Sequence, residues 1–355
     1  MITIVLTYRN RNLNIVKKCF DSLLNQTNKH FKIVLVDYGS IESYKNRLVK
    51  LVEKCAFIEL IRCETEQQLW CKSRAINIVL KQCQTPYFFV GDIDMIYHPH
   101  FVEILHSLKN DKAMTYFQVG FLSESESKKD KAFNDYKISF KSSNEATGMT
   151  LYKTDILKSI NGYDEFYNGW GSEDTDIHIR LKNDKKTTVF YDKGILILHQ
   201  WHPKTYRNKE STSPFHSNLE KINQKYLEYT KITKRVSANK AFKWGDYNPE
   251  NYKLLNTVNN EFTISNELSD VKGFVSNVLL NLKNEVVSVK VKRHKEYKSL
   301  NYIAKKILNK KTKVFLNMQI VNDLLLEAII MNLRNCPYKF VFNRNSLEIS
   351  LTIKL

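Results

Sequence analysis

Strand-length apolar runs alternate with helical patterns through the first part of this chain. Strands alternating with helices form mostly parallel sheets that carry helices on both faces. The sequence therefore predicts an α/β fold with a Rossmann-like central sheet. The predicted strands are Ile2–Leu6, Phe31–Val36, Phe57–Arg62 and Tyr87–Val90. The helices predicted from apolar residues at helical spacing are Leu13–Leu24, Ser43–Cys55 and Trp70–Gln82.

Polar residues follow three of these predicted strands at the point where each ends. They are Thr7–Arg11, Asp37–Ser40 and Asp92–Asp94. Ligands of open parallel sheets bind beyond the carboxyl ends of the strands. The three clusters therefore predict a ligand site at one edge of the sheet.

Asp92 and Asp94 flank a single residue directly after a buried strand. Mg²⁺ and Mn²⁺ take oxygen ligands and commonly bind one or two protein carboxylates together with phosphate oxygens. We interpret the pair as a metal site, with a solvated acidic turn as the alternative. Four basic residues are candidates to neutralise a diphosphate, or else are solvated surface charges. These are Arg9, Arg11, Lys72 and Arg74.

A second acidic cluster follows a Gly-Trp-Gly turn. Glu173, Asp174 and Asp176 lie within four positions, where a helix is predicted to begin. One acid at a helix start is often only a cap, but that does not explain three. Displacement at an anomeric carbon with inversion needs one carboxylate base. We assign the base to Asp174, with Glu173 as competitor, and assign Asp176 to the structure.

Two histidines follow the next predicted strand. We expect Thr188–Tyr191 and Ile195–Leu198 to form a short antiparallel pair that delivers the chain to His199 and His202. Neutral imidazole suits Mn²⁺ better than Mg²⁺. His199 is the favoured metal ligand and His202 the second candidate, with a structural role as the alternative for each.

The rest of the chain predicts a second, smaller region. Ser123–Asp135 and Lys204–Asn218 are polar and predict loops. We place a first domain at residues 1–235 and a C-terminal α+β accessory region at 240–355. The formal net charge is +18. Lys290–Lys313 carries ten Lys or Arg and one acid. This basic stretch is a solvated face, a contact with an anionic membrane surface, or a site for an anionic glycan.

Composition narrows the cellular setting. No segment has the roughly 18 consecutive apolar residues that span a bilayer, and the start lacks a basic signal-peptide region. The six cysteines show no metal-binding spacing, which predicts reduced thiols. Abundant Lys, Asn and Ile are typical of AT-rich bacterial genomes. We expect a bacterial cytoplasmic protein, with the inner membrane face as a site of peripheral contact.

These motifs together resemble nucleotide-sugar glycosyltransferases of the GT-A fold. The group is the inverting family 2 type, with motifs similar to β-1,4-galactosyltransferases and chondroitin polymerase. Thr7–Arg11 is similar to Pro-Phe-Arg-Asn-Arg, and Asp92–Ile96 is similar to Asp-Val-Asp-Leu-Ile. Gly169–Asp176 is similar to Gly-Trp-Gly-Gly-Glu-Asp-Asp-Asp. The resemblance covers roughly residues 1–205.

The resemblance implies roles residue by residue. Asp94 and His199 would hold Mn²⁺ or Mg²⁺, and Asp174 would be the base. The donor would contact Thr7, Arg9, Arg11, Asp37, Arg74, Asn77 and Asp92. Trp170, Gly171 and Glu173 would contact the donor sugar or the acceptor. Gln200 to about His216 would correspond to a lid over bound donor.

Two departures from the family pattern concern the donor and the metal. Tyr38 stands where family 2 enzymes often have a second acid that contacts uracil. Leu196 stands where the galactosyltransferases have a methionine three residues before the metal histidine. The first leaves the recognition of uracil open. The second makes the metal site more similar to the bacterial family 2 arrangement.

The function predicted is metal-dependent transfer of a hexose or N-acetylhexosamine from a UDP-sugar. The acceptor would be an oligosaccharide or a lipid-linked glycan of a bacterial surface polysaccharide, and no nucleic acid is involved. A nucleotidyltransferase acting on sugar phosphates is the enzymatic alternative, although Thr7–Arg11 lacks the glycines of a phosphate loop. The non-enzymatic alternative is a glycan- or membrane-binding module without catalytic activity.

Overall fold

A computed structural model describes residues 1–109, 113–204 and 214–355. The chain divides into two compact units. The first comprises Met1–Cys63, Trp70–Lys204 and Glu220–Tyr247. The second comprises Glu64–Leu69, the described part of Thr205–Leu219, and Asn248–Leu355. In the described ranges, no helix is both long and apolar enough to cross a membrane.

The first unit is built on a mixed but mostly parallel sheet. Among the described residues its strand order is β10-β6-β9-β4-β1-β2-β3. Only β9 runs against its neighbours β4 and β6; the other pairs are parallel. The α/β fold with a mostly parallel sheet is therefore confirmed. The strands are β1 (Ile2–Tyr8), β2 (Phe31–Tyr38), β3 (Ile58–Cys63), β4 (Tyr87–Asp92), β6 (Met114–Phe117), β9 (Thr150–Lys153) and β10 (Thr188–Tyr191).

A smaller sheet lies in the same unit, with the strand order β5-β11-β7-β8 among the described residues. Its strands are β5 (Met95–Tyr97), β7 (Val119–Leu122), β8 (Ile138–Lys141) and β11 (Ile197–His199). The helices of this unit are α1 (Leu13–Leu24), α2 (Glu42–Val52), α3 (Lys72–Gln82), α4 (Phe101–Ser107), α5 (Glu124–Ser127), α6 (Thr154–Ser159), α7 (Glu173–Asn183) and α8 (Leu219–Ile232).

The central strand β1 is buried on both faces. Alternate side chains of a strand point to opposite faces. Ile2, Ile4 and Leu6 accordingly join the core cluster that contains α1 residues. Val5 joins the cluster that contains α3 residues. Helices therefore cover both faces, and the strand ends are left as the open polar edge.

Two expectations about local structure were wrong. β10 and β11 do not pair with each other, because β10 pairs with β6 and β11 pairs with β5 and β7. Ser123–Asp135 is not merely a polar loop, because it contains α5 and a 3₁₀ turn at Phe133–Asp135. The carboxylate of Glu126 is buried there and pairs with Lys129 and Lys131.

The second unit has its own antiparallel-rich sheet, with the order β12-β13-β15-β14 in the described residues. β12 is parallel to β13, and the other pairs are antiparallel. Its elements are α9 (Pro249–Lys253), β12 (Asn260–Ser265), α10 (Leu268–Phe274), β13 (Val286–Lys292), α11 (Leu300–Ile307), α12 (Met318–Asn332), β14 (Tyr338–Asn343) and β15 (Glu348–Lys354). The roles predicted for the two parts of the chain stay predictions.

Candidate active site

The ends of β1, β2 and β4 meet at one edge of the central sheet. The parallel register pairs Thr7 with Asp92 and Tyr8 with Asp37. Residues predicted from separate parts of the sequence are thus brought side by side. Because parallel strands end at the same edge, this is where the polar clusters converge.

Asp94 lies in a cationic environment just after β4. Its Oδ2 is 3.1 Å from His202 Nε2 and 3.2 Å from Arg11 Nη2. Its Oδ1 is 4.0 Å from His199 Nε2. Burial alone raises the pKa of Asp94, but the hydrogen bond from His202 and the charges of His199 and Arg11 outweigh burial and lower it well below its usual range. Asp94 is therefore a permanent anion.

The histidines reach Asp94 because β11 pairs with β5. This register places His199 opposite Met95, and the Gln200 amide donates to the Asp94 carbonyl at 2.9 Å. Among the described residues, Asp94, His199 and His202 offer ligand atoms that all lie within 4.8 Å of one another. Burial lowers the pKa of His199, which favours the neutral imidazole that binds a metal. The group could hold a divalent cation.

The second acidic cluster opens α7 through a left-handed turn. Gly169, Gly171 and Ser172 have φ values of 74°, 100° and 76°. This conformation favours glycine, so the Gly-x-Gly spacing is a backbone requirement of the turn. The turn leaves the side chain of Trp170 46% exposed. A Cβ built on Gly171 would meet no atom within 4 Å, so open space adjoins that position too.

Lys72, the first residue of α3, joins the two acidic clusters. Its Nζ is 3.0 Å from Asp92 Oδ1 and 3.0 Å from Asp174 Oδ2. Glu173 Oε1 is 3.9 Å away. Burial by itself lowers the pKa of Lys72, but these three carboxylates outweigh burial and raise it well above its usual value. Lys72 is thus a fixed cation between the strand end and the helix start.

Glu173 and Asp174 are held in the opposite electrostatic state from Asp94. Burial and the neighbouring charge of Asp174 raise the pKa of Glu173 to about 7. Burial, with a smaller contribution from Asp92, raises the pKa of Asp174, and Lys72 opposes this rise. Both carboxyls therefore hold a proton more readily than an ordinary acid does, and Glu173 exchanges its proton near neutral pH.

The carboxylate of Asp174 also has a free position. Its Oδ1 is buried and finds no hydrogen-bond partner among the described residues. A Cβ built on Gly148 would lie 3.3 Å from Asp174 Oδ2 and 3.9 Å from Asp92 Oδ2. Gly148 therefore leaves room beside these two carboxylates that a larger residue would fill. The unpartnered Oδ1 is a buried acceptor suited to receive a hydroxyl group.

Asp176 differs from its neighbours in being fully buried. Its Oδ2 lies 2.6 Å from Nε of Arg180, which is also fully buried. Its Oδ1 accepts hydrogen bonds from Tyr167 at 3.1 Å and from Thr230 at 2.8 Å. The assignment of this acid to the structure agrees with its surroundings.

Two residues predicted to bind the donor lie in the interior instead of at the open edge. Arg74 is buried and pairs with Glu165 through Nε at 2.7 Å. Asn77 is fully buried, and its amide nitrogen donates to Glu165 at 3.0 Å and to the Tyr163 carbonyl at 2.8 Å. They lie in the first and second turns of α3, on a stretch of the helix that is buried from Ser73 to Leu80. These contacts fix residues 163–165 against α3.

The β2 end shows a further contrast. Asp37 is buried, its Oδ1 accepts from the Ser40 amide at 3.1 Å, and its Oδ2 has no partner in the described residues. Tyr38 packs in the core, with its ring 5.9 Å from that of Trp70. The residue at the family's second acidic position is therefore part of the core. Donor binding by Thr7, Arg9, Arg11 and Asp37 stays a prediction.

The predicted lid, Gln200 to about His216, is only partly described. Residues 205–213 of it, and with them most of the predicted loop Lys204–Asn218, lie outside the described residues. Trp201, at the start of the lid, is 40% exposed, and its amide donates to Ser127 Oγ at 2.8 Å.

Two protein-family models match the part of the chain that carries the site. A family model described as glycosyl transferase family 2 matches residues 3–160. A second, described as the N-terminal domain of galactosyltransferase, matches residues 128–202. The first match spans the strand ends and Asp94, and the second spans the start of α7 and both histidines. The chain is a glycosyltransferase, and its similarity to family 2 lies in residues 3–160.

Similar solved structures are distant from this glycosyltransferase in sequence. TarS of S. aureus in complex with UDP-GlcNAc shares 12% identity, with a TM-score of 0.49 over 66% of this chain and 69% of that chain. GalNAc-T7 with UDP, GalNAc and Mn²⁺ shares 13% identity, with a TM-score of 0.49 over 65% of this chain and 48% of that chain. No curated protein matches the chain.

Sequence reasoning underestimated one residue of this glycosyltransferase. The sequence predicts Lys72 only as one of four cations for a diphosphate, whereas in the structure it bridges Asp92 and Asp174. The signal available was its place as the first residue of the helix that follows a strand. That signal gives no indication of a partner 102 positions later in the chain.

Proposed function

We propose that this glycosyltransferase is metal-dependent and inverting, and that it moves a hexose or N-acetylhexosamine from a UDP-sugar to a glycan hydroxyl. The observation that carries the proposal is the pair of carboxylate clusters with opposite electrostatics. One cluster holds a permanent anion beside two imidazoles. The other holds carboxyls able to take up a proton. Transfer of a sugar from a nucleotide diphosphate requires both.

The metal part of the proposal rests on the chemistry of the donor set. One carboxylate and two imidazoles fit a divalent transition ion, and this mixture favours Mn²⁺ over Mg²⁺. Asp94 and His199 are the proposed ligands, with His202 as a further ligand and Asp92 close to the donor. When bound, the cation would offset the negative charge on the leaving diphosphate. Arg11, already 3.2 Å from Asp94, would add a second positive charge there.

Asp174 is the proposed base. In a single displacement, the acceptor hydroxyl attacks the anomeric carbon, its proton passes to the Asp174 carboxylate, and the bond to UDP breaks with UDP leaving as the anion. The unpartnered Asp174 Oδ1 supports this role. Glu173, whose pKa is raised to about 7, is the competing candidate.

The donor and acceptor contacts follow from the exposed positions of the site. Trp170 and Gly171 border the acidic cluster, and an exposed indole face can stack on a pyranose ring. We propose that they contact the sugar or the acceptor. The acceptor would be an oligosaccharide or lipid-linked glycan of a bacterial surface polysaccharide, which fits a chain rich in Lys, Asn and Ile.

A panel of UDP-sugars tests the proposal directly. One UDP-hexose or UDP-N-acetylhexosamine is expected to be hydrolysed slowly in Mn²⁺, without acceptor, and to stabilise the chain thermally. Chelation with EDTA should abolish both effects, and the matched ADP-sugar should give neither. Failure of every UDP-sugar in Mn²⁺ would contradict the proposal. So would release of pyrophosphate from UTP and a sugar phosphate, which is the nucleotidyltransferase reaction.

A further inference from the structure

The helix α11, in the second unit, presents an apolar stripe to solvent. None of its side chains is buried. Leu300 is 88% exposed and Ile307 is 76% exposed. Ile303, in the middle of the helix, and Leu308, at its C-cap, are also exposed. Single exposed apolar residues are common, but four within nine positions form a patch that a soluble surface seldom carries without a partner.

The stripe lies on the side of α11 that faces away from the protein. At about 100° per residue, Leu300, Ile303 and Ile307 share one side, and Tyr302 projects from the opposite side. Tyr302 is the half-buried residue that attaches the helix. Its ring lies 5.2 Å from that of Phe315, and its hydroxyl donates to the Lys313 carbonyl at 3.3 Å. The attachment therefore fixes the apolar side outward.

Cations flank the stripe. Lys305 and Lys306 lie in the last turn of α11, and exposed Lys310 and Lys311 follow it directly. Over Lys290–Lys313 the chain has ten basic residues and one acid, Glu296. The N-terminal end of the helix is capped by Ser299, whose Oγ accepts from the Tyr302 amide at 3.2 Å. This cap stabilises the start of α11.

We propose that α11 docks the chain on an anionic phospholipid surface, with Leu300, Ile303 and Ile307 entering the headgroup region. A short helix with an apolar side and a lysine-rich flank is the form that binds in the plane of such an interface. Each lysine near the surface adds attraction to anionic lipid. The same charge argues against a second copy of this chain as the occupant, because two such surfaces would bring like charges together.

Vesicle flotation of the full chain tests this docking. Vesicles of phosphatidylcholine and phosphatidylglycerol in equal parts should bind the chain at least about tenfold more tightly than phosphatidylcholine alone. The double variant Ile303→Ser with Ile307→Ser should weaken binding at least about tenfold, because two exposed apolar side chains no longer enter the lipid. Ile232→Ser is the matched control, since Ile232 is 81% exposed on α8, and it should leave binding unchanged.

Two further measurements separate the contributions. The variant Lys305→Gln with Lys306→Gln should weaken binding about tenfold at low salt and less at high salt. Ile307→Trp should bind as the parent does and show a blue-shifted emission on the anionic vesicles only. Absence of binding by the parent chain would overturn the proposal, as would equal binding by the Ile303/Ile307 variant. A change of that variant from dimer to monomer, with no vesicle binding by the parent, would overturn it in favour of a second copy.

Discussion

Asp94 and Asp174 are two carboxylates of one site held in opposite states. Arg11, His199 and His202 surround Asp94, and its pKa is lowered. Asp174 shares one cation, Lys72, with Asp92 and Glu173, and its pKa is raised. Both groups are largely withdrawn from water, but Asp94 has the Arg11 guanidinium and the His202 hydrogen bond to itself, whereas Asp174 shares the single cation Lys72 with two other carboxylates.

This difference indicates how one edge of a sheet can serve two kinds of chemistry. A carboxylate that never protonates suits a cation and a leaving diphosphate. A carboxylate whose pKa is raised suits proton transfer. In our proposal the chain therefore separates leaving-group stabilisation from activation of the acceptor, and Lys72 is the contact between the two parts.

The largest expected effect comes from the proton-accepting part. Asp174→Asn should lower transfer from the UDP-sugar by about 10³-fold or more, because the amide accepts no proton. Turnover of the donor identified in the UDP-sugar panel provides the measurement. Asp184→Asn, at the far end of α7, is the matched control and should retain activity. Near-normal turnover by Asp174→Asn would remove it as the base and favour Glu173.

The second largest effect is expected at the proposed metal ligand Asp94. Asp94→Asn should raise the Mn²⁺ concentration needed for half-maximal activity by about 100-fold, because the anionic ligand is lost. A titration of activity with Mn²⁺ measures this, and Asp130→Asn, an exposed acid, serves as control. An unchanged Mn²⁺ requirement would show that the cation binds elsewhere.

Removing Lys72, which connects the Asp92 and Asp174 carboxylates, should have a smaller effect on activity. Lys72→Met leaves Asp92, Glu173 and Asp174 without their shared cation, so the pKa of Asp174 should rise further. Because the deprotonated form is the active one, activity at neutral pH should fall by about tenfold and recover as the pH rises. The pH profile of turnover shows this shift. Lys72→Arg should largely preserve the profile, whereas a Lys72→Met profile of unchanged shape would contradict the link.

The smallest effect concerns stability. The Glu173 carboxyl has a pKa raised from 4.5 to about 7, so the folded state holds its proton longer than the unfolded state. Stability should therefore fall as pH rises from about 4.5 to about 7, and the loss should be complete above that. Glu173→Gln should raise the melting temperature at pH 8 by about 2–6 °C and have little effect near pH 4.5. Thermal unfolding in EDTA measures this, with exposed Glu261→Gln as control; a gain that is equal at both pH values would contradict the raised pKa.

Local patterns predicted much of the fold. The helix Leu13–Leu24 has the predicted bounds, because its apolar spacing is regular and strong. The partners of the short strands β10 and β11 are less predictable. β10 and β11 are three or four residues long, and their partners are set by tertiary pairing with distant strands. Short apolar runs of this kind contain no information on which sheet they join.

The site was predictable where chemistry is local and less so where it depends on burial. Asp92–Asp94 and Gly169–Asp176 carry their signal in adjacent residues. Arg74 and Asn77 face inward because α3 packs in the core, which their residue types do not reveal. Lys72 faces the carboxylates from the first turn of the same helix. The side of the helix on which a polar residue lies thus decides between a structural and a site location.

The most direct test titrates UDP into Asp174→Asn and Asp94→Asn at the lowest Mn²⁺ concentration that saturates the parent chain. We predict that the affinity of Asp174→Asn for UDP stays within about threefold of that of the parent chain, because the base has no part in holding the leaving group. We also predict that Asp94→Asn loses the Mn²⁺-dependent part of the affinity. Loss of Mn²⁺-dependent UDP binding by Asp174→Asn, with binding retained by Asp94→Asn, would contradict the account.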